Sequence, residues 1–276
     1  GLIVFRLVWG LTGTRDALEQ LRSTLADVLR FDEASGWPDD ELLTTLAALE
    51  VLYEKAGGIA RITINRPSQY NAYSTAALEE LAAAFRDAAF DDAVGVIVLT
   101  GAGDRAFCTG GDVKEYAATY VATPHDYWKY MALFRAYIES ILNTGKPVVA
   151  RINGMAVGGG NETQLACDLT VMAQHTYVKQ VGTHVGSVAC GGATQWLPLV
   201  VGDKRAREIL FLNEPVPALK AREWGLVNWV APSVRRGVCG QVVGELAVPV
   251  GEHGFQQGPG QRGGDPVDDD GVVAVD

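Results

Sequence analysis

Three successive glycines, Gly158 to Gly160, interrupt the stretch N-G-M-A-V-G-G-G-N-E-T-Q-L-A-C-D at residues 153–168. Before it, K-P-V-V-A-R-I reads as a buried strand; after the glycines, T-Q-L-A continues as a helix. The local order is therefore strand, glycine turn, helix. A helix starting at about Gly160 points its unpaired N–H groups and positive dipole end back into the turn, where missing Cβ atoms let a ligand come close. That geometry suits an oxyanion. Three glycines alone describe equally well a tight turn packing strand on helix. Glu162 adds a carboxylate that either partners the helix dipole or moves protons beside the turn.

Such a turn needs a sheet to hold it, and the surrounding periodicity supplies one. I-A-R-I-T-I-N, residues 59–65, alternates as a strand after a hairpin signal at Gly57 and Gly58, and Pro67 stops it. S-T-A-A-L-E-E-L-A-A-A-F-R-D-A-A repeats at helical spacing with Ser74 as its N-cap, and V-G-V-I-V-L-T follows as another strand. Repeated change from period two to period 3.6 predicts an α/β domain with helices covering a sheet. A second glycine-rich turn lies in G-A-G-D-R-A-F-C-T-G-G-D-V-K-E-Y, residues 101–116. There Asp112 caps the next helix, and Gly110 and Gly111 free the backbone so that N–H groups near Thr109 face the turn at Gly159.

The flanks read differently. Thr14 to Arg30 form an amphipathic helix, and Asp39 and Asp40 open a short helix through Ala48. The apolar run Leu2 to Leu11 is too short to span a bilayer and contains Arg6. The expected organisation is an N-terminal helical arm over residues 1–50, a core over 51–232, and an irregular tail over 233–276. The tail has no sustained period, and its Gly, Pro, Val, Asp and Arg bias reads as a flexible tail or a GC-rich gene translated in a shifted frame.

With 276 residues, 48% of them hydrophobic, and a net charge of −10, the chain has material for one large domain or two small ones and no general attraction to nucleic acid. An anionic ligand needs a local positive site. Cys108, Cys167, Cys190 and Cys239 are widely spaced, which argues against a zinc site or disulfide framework and for a reducing cytoplasm. Neither a membrane nor a nucleic acid is expected as partner.

Four ordered motifs, N-R-P-S-Q-Y-N-A, A-F-C-T-G-G-D-V-K-E, K-P-V-V-A-R-I-N-G-M-A-V-G-G-G-N-E and A-C-D-L-T-V-M-A, resemble the crotonase (enoyl-CoA hydratase/isomerase) superfamily over roughly Val51 to Pro232. The resemblance implies an α/β fold, a spiral of ββα turns with two nearly perpendicular sheets. It implies an acyl-CoA substrate whose thioester oxygen meets the backbone N–H groups of Thr109 and Gly159. Proton abstraction beside a thioester, or conjugate addition to one, builds charge on that oxygen, and preorganised donors there contribute several kcal/mol. Ala72, Ala106, Phe107, Cys108, Gly110 and Gly111 lie along the implied CoA path, and Tyr70 and Tyr73 beside the acyl pocket. For Ala72 and Ala106 simple small-residue packing is an equal reading, and for the two tyrosines so is the core. No cofactor or metal is implied beyond the coenzyme A of the substrate.

Glu162 aligns with the first of the family's two hydratase glutamates, whereas the second is replaced by Gly182. Two branches share a glycine there, the dihydroxynaphthoyl-CoA synthases and the 6-oxocyclohex-1-ene-1-carbonyl-CoA hydrolases. P-S-Q-Y-N-A-Y-S-T, W-K-Y-M-A-L-F and G-S-V-A-C-G-G-A-T-Q-W-L-P-L resemble the hydrolases more, and Val188 and Ala189 stand where a synthase carries an aspartate. The implied function is addition of water to an α,β-unsaturated, cyclic 6-oxo acyl-CoA, with hydrolytic ring cleavage. The alternatives are an ordinary enoyl-CoA hydratase/isomerase, a synthase, or a non-catalytic CoA-binding protein of the same fold. His184, two residues after Gly182, is a candidate second acid/base group or a histidine bonded locally. Family members form trimers or paired trimers, so a homotrimer or hexamer is expected. The helices that cover the site in the family should follow Pro232, where the resemblance ends.

Overall fold

The structure, a computed structural model, describes residues 50–231. The expected N-terminal arm and the tail lie outside the described residues. The chain opens with an antiparallel hairpin, β1 (Val51–Ala56) and β2 (Ile59–Ile64), turning through Gly57 and Gly58 at positive φ, as the glycine pair predicts. Alternation in β2 sends Ala60, Ile62 and Ile64 inward with no exposure. A 3-10 turn, Pro67–Gln69, leads to α1 (Thr75–Phe90), which buries Ala77, Leu78, Leu81, Ala84, Phe85 and Ala88 on one stripe. The predicted cap is present: Ser74 Oγ accepts the Ala77 N–H at 3.1 Å and also bonds to Glu50. Ser74→Ala removes a cap and leaves Glu50 without that hydroxyl, so stability should fall by about 1 kcal/mol. Urea titration should show this as a lower midpoint with an unchanged slope.

The next elements are β3 (Val96–Gly101), β4 (Ala106–Cys108), α2 (Val113–Glu115) running into a π turn at Tyr116–Tyr120, and α3 (Pro124–Leu142). Then come β5 (Val148–Ile152), β6 (Met155–Val157) and α4 (Gly159–Ala166), followed by β7 (Leu169–Ala173), β8 (Tyr177–Lys179), α5 (Gly182–Val185) and α6 (Ala193–Val201). The described chain closes with α7 (Asp203–Leu212), β9 (Val216–Pro217), α8 (Ala218–Glu223) and β10 (Trp229–Ala231).

The strands form two sheets, one ordered β1-β2-β3-β5-β7-β10 and one ordered β4-β6-β8-β9. Three times in succession a strand of the larger sheet is followed by a short strand of the smaller one and then by helix. Each such turn adds one parallel strand to each sheet, as β3, β5 and β7 against β4, β6 and β8, which is the expected ββα spiral. β3 is buried at every position, as a central parallel strand covered on both faces must be. α1 packs on β1, β2 and α3, and α4 packs on β4 and β6, with Phe85, Tyr137, Leu78 and Ile62 among the fully buried side chains. Among the described residues no helix is long and apolar enough to cross a membrane.

Candidate active site

Two asparagines fix the glycine turn that comes first along the chain, between Gly101 and Gly111. Asn71 donates through Nδ2 to the carbonyls of Ala102 and Ala106, and Asn153 donates through its own Nδ2 to Gly103 and Ala106. Their Oδ1 atoms accept N–H groups from Arg66 and Gly101 respectively. Both motifs singled out in the sequence, Y-N-A and I-N-G, thus hold the entry to β4 from either side. Arg66 extends the clamp: its guanidinium bonds the Ala72 carbonyl at 2.5 Å and pairs with Asp112 at 2.8 Å. Asp112 in turn caps α2 by accepting the N–H groups of Lys114 and Glu115. With this much backbone tied down, the Thr109–Gly111 turn has little freedom.

The second turn lies directly on it. Gly158, at φ +56°, is the N-cap of α4, which begins at Gly159, one residue earlier than the sequence suggests. A Cβ on Gly159 would stand 3.2 Å from the Gly110 Cα, one on Gly110 would stand 2.9 Å from the Gly159 nitrogen, and one on Gly160 would stand 2.0 Å from the Cys108 carbonyl oxygen. Only glycines allow the two turns to approach this closely. Gly110, the residue after Thr109, is therefore brought against Gly159.

Glu162 is the fourth residue of α4 and only 3% exposed. Its Oε1 accepts the Ala193 N–H at 3.1 Å, so the carboxyl rests on the N-terminus of α6. A Cβ on Gly191 would lie 3.0 Å from the Glu162 Cδ, so the carboxyl also lies against the glycine pair ahead of that helix. Burial raises the carboxyl to about 7, with the Ala193 and Gly191 N–H groups pulling the other way. Among the described residues Glu162 takes part in no ion pair. A carboxyl poised there can take or give a proton near neutral pH.

Gly182 opens α5, and a side chain on it would meet the Ser187 carbonyl oxygen at 2.8 Å. The loop closes there through the Ser187 N–H to the Gly182 carbonyl, so this backbone has no room for a second carboxylate. His184 is exposed on the same short helix, with no hydrogen bond joining its ring to Glu162.

Phe107, Cys108 and Ala106 turn their side chains into the core, so only their backbone can face a ligand; Ala72 is nearly buried as well. Gly110 and Gly111 are occupied from behind, a Cβ on Gly111 falling on the Tyr116 hydroxyl. Tyr70 is exposed, with the Arg105 guanidinium 4.5 Å above its ring and Arg105 Nη2 donating to its hydroxyl at 2.6 Å. Thr109 Oγ1 donates to the Tyr70 carbonyl, which sets this pair on the outer rim of the first turn and gives the rim a cation.

Two features of the site are not apparent from the sequence. One is the Gly191–Ala193 support of Glu162, signalled only by a glycine pair ahead of a helix. The other is an aromatic wall of Tyr116, Tyr120, Tyr127 and Tyr130, in which Tyr116 and Tyr130 share a hydrogen bond at 2.7 Å. Its signal is the tyrosine spacing across the π turn and α3.

Residues 54–239 match the family described as enoyl-CoA hydratase/isomerase. Two curated relatives, both 6-oxocyclohex-1-ene-1-carbonyl-CoA hydrolases, are 43% identical over 178 residues (Geobacter metallireducens) and 42% identical over 174 residues (Thauera aromatica). The matches cover 64% and 63% of this chain and 47% and 46% of those proteins, so the chain spans about half the length of the curated relatives it matches. Among solved structures, an enoyl-CoA hydratase from Bacillus anthracis superposes with a TM-score of 0.67 at 32% identity over 72% of this chain and 75% of that one. DspI of Pseudomonas aeruginosa gives 0.67 at 30% identity over 78% of each chain. Fold, ordered motifs and family match coincide over the same residues, and the chain belongs to the enoyl-CoA hydratase/isomerase, or crotonase, family.

Proposed function

We propose that this chain adds water to an α,β-unsaturated acyl-CoA, that the acyl group is a cyclic 6-oxo enoyl of the kind named for its curated relatives, and that it hydrolyses the ring. The observation that carries this reading is Glu162, buried, free of ion pairs within the described residues, and lifted toward neutrality on the helix that starts at the Gly159 turn. The thioester oxygen lies between the N–H groups of Thr109 and Gly159, which form an oxyanion hole. Glu162 takes a proton from water, the water oxygen bonds to the β-carbon, and the electron pair of the double bond moves onto the thioester as an enolate. Glu162 then returns the proton to the α-carbon. Because Gly182 supplies no second carboxylate, one carboxyl serves both steps in turn.

The ring ketone of such a substrate sits on the carbon next to the α-carbon, which makes the thioester enolate a leaving group. A second water attacks the ketone, the bond between the ketone carbon and the α-carbon breaks, and its electron pair is again held as an enolate in the same hole. Protonation at the α-carbon leaves an open-chain thioester ending in a carboxylic acid. No cofactor beyond coenzyme A enters this scheme. The Arg105 guanidinium beside Tyr70 suits a phosphate of the coenzyme. A homotrimer or hexamer is part of the proposal, supported by Leu199, Phe211, Leu212 and Leu219 standing exposed on α6 to α8. So is a cytoplasmic location, supported by the unpaired Cys108, Cys167 and Cys190.

Comparison of crotonyl-CoA, cyclohex-1-ene-1-carbonyl-CoA and its 6-oxo derivative at matched concentration tests the substrate class. The 6-oxo compound should show the highest kcat/KM. Equal or faster use of crotonyl-CoA would make the chain an ordinary hydratase, and binding of all three without turnover would make it a CoA-binding protein.

A further inference from the structure

Tyr73 is absent from the functional scheme so far, yet its hydroxyl stands at the seam of the two glycine turns. Its backbone is stitched to the first turn, the Tyr73 N–H donating to the Gly110 carbonyl at 2.9 Å and the Tyr73 carbonyl accepting the Asp112 N–H at 3.0 Å. Its ring is held by Phe134, stacked at 5.4 Å, and by the edge of Tyr137 at 6.1 Å. The hydroxyl oxygen lies 2.0 Å from where a Cβ would stand on Gly159, and that same point is 3.2 Å from the Gly110 Cα. Gly159 is thus a glycine partly because the Tyr73 hydroxyl occupies the space its side chain would need.

Tyr73 is 2% exposed, and within the described residues its hydroxyl has no hydrogen-bond partner. The sealed polar atoms that lack one are others, namely Tyr137 Oη, Asn161 Nδ2, Thr163 Oγ1 and Asn213 Oδ1. The Tyr73 hydroxyl is not one of these, and it lies against the Gly159 backbone at the seam of the turns. A phenol in that position needs an acceptor. The Glu162 carboxyl is engaged by Ala193, while a carbonyl oxygen arriving between the two turns has lone pairs to offer.

We infer that the Tyr73 hydroxyl is a third hydrogen-bond donor to the thioester oxygen, beside the N–H groups of Thr109 and Gly159. This rests on the acyl-CoA reading above and extends it from two backbone donors to two backbone donors and a phenol. Burial, with the neighbouring Cys108 and Tyr130, drives the Tyr73 phenol well above its ordinary range, so it stays protonated and acts as donor and not as base. Tyr73 is then a catalytic residue, since negative charge on the oxygen strengthens its bond in the enolate relative to the ground state.

The test replaces Tyr73 with Phe and, in a second protein, with 3-fluorotyrosine, a more acidic donor of nearly the same shape. The probe is an aryl-acryloyl-CoA whose absorption moves to longer wavelength as its carbonyl is polarised. Wild type should shift the band. Tyr73→Phe should shift it less, lose about a hundredfold in kcat on the 6-oxo substrate, and keep KM and melting temperature close to wild type. The fluorotyrosine protein should shift the band further than wild type. An unchanged band and unchanged kcat in Tyr73→Phe would overturn the inference. If Tyr73→Phe does not fold, the fluorotyrosine protein decides alone, and a band identical to wild type overturns it. A wild-type protein that binds the probe without shifting it removes the acyl-CoA reading, and this inference with it.

Discussion

Glu162→Gln should lower kcat on the active thioester by roughly a hundred- to ten-thousand-fold, the range over which general acid–base groups act. The amide keeps the shape of the side chain, and its oxygen still accepts the Ala193 N–H, so binding of the thioester should survive. What is lost is the group that takes the proton from water, and Gly182 offers no carboxylate in its place. In wild type the rate should rise with pH through about 7 as the carboxyl ionises and becomes a base, then level off. The same substitution has an opposite effect on stability. The folded protein lifts this carboxyl from 4.5 to about 7, so it favours the protonated form. That contribution is complete below about 4.5 and is lost as the pH rises to 7. Above 7 the buried carboxylate costs about 3 kcal/mol relative to acid pH, and a neutral glutamine avoids that cost. Glu162→Gln should therefore melt higher than wild type at pH 8 and equal to it at pH 4. His184→Ala is the control, with near-normal kcat expected from its exposed position. A mild Glu162→Gln phenotype beside a severe His184→Ala one would transfer the base to the histidine.

Gly160→Ala should destabilise the fold by about 3 kcal/mol, the upper end of what overpacking usually costs. The new methyl would stand 2.0 Å from the Cys108 carbonyl oxygen, 2.6 Å from its carbon and 3.0 Å from its Cβ. Cys108 belongs to β4, paired with β6, so it cannot retreat without opening the smaller sheet. A drop in melting temperature of roughly 6–12 °C corresponds to that cost in a domain of this size. Catalysis should suffer separately, because the strain is relieved most easily by parting the two turns that hold Thr109 and Gly159. Gly57→Ala provides a contrast. Nothing lies within 4 Å of its Cβ, and only the positive φ opposes it, at a cost of about 1 kcal/mol. Equal effects of the two substitutions would show that the close approach of the turns is not what the glycines serve.

Features that depend on one residue and its nearest neighbours were legible before the structure. Ser74 and Asp112 as caps, Gly57 and Gly58 as a hairpin, and the strand–turn–helix order around Glu162 all express local backbone needs. The strands of the smaller sheet were harder to read. β4, β6, β8 and β9 span two or three residues each, too few for a period to show, and long-range pairing alone defines them. The support of the carboxyl was hidden for a similar reason, since Ala193 lies 31 residues beyond Glu162. Tyr73 was legible as an aromatic beside a turn, but only the contact across the two turns distinguishes its hydroxyl from an ordinary core ring.

The most direct test of a water-adding site at Glu162 is the product formed from 6-oxocyclohex-1-ene-1-carbonyl-CoA in water enriched in oxygen-18. Wild type should form a thioester heavier by two waters, with label in a new hydroxyl and in a new carboxylate, and Glu162→Gln should not. A product carrying one water and an intact ring would restrict the chemistry to hydration. Unchanged substrate after prolonged incubation with folded wild-type protein would contradict the central claim that Glu162 and the paired glycine turns form a water-adding acyl-CoA site.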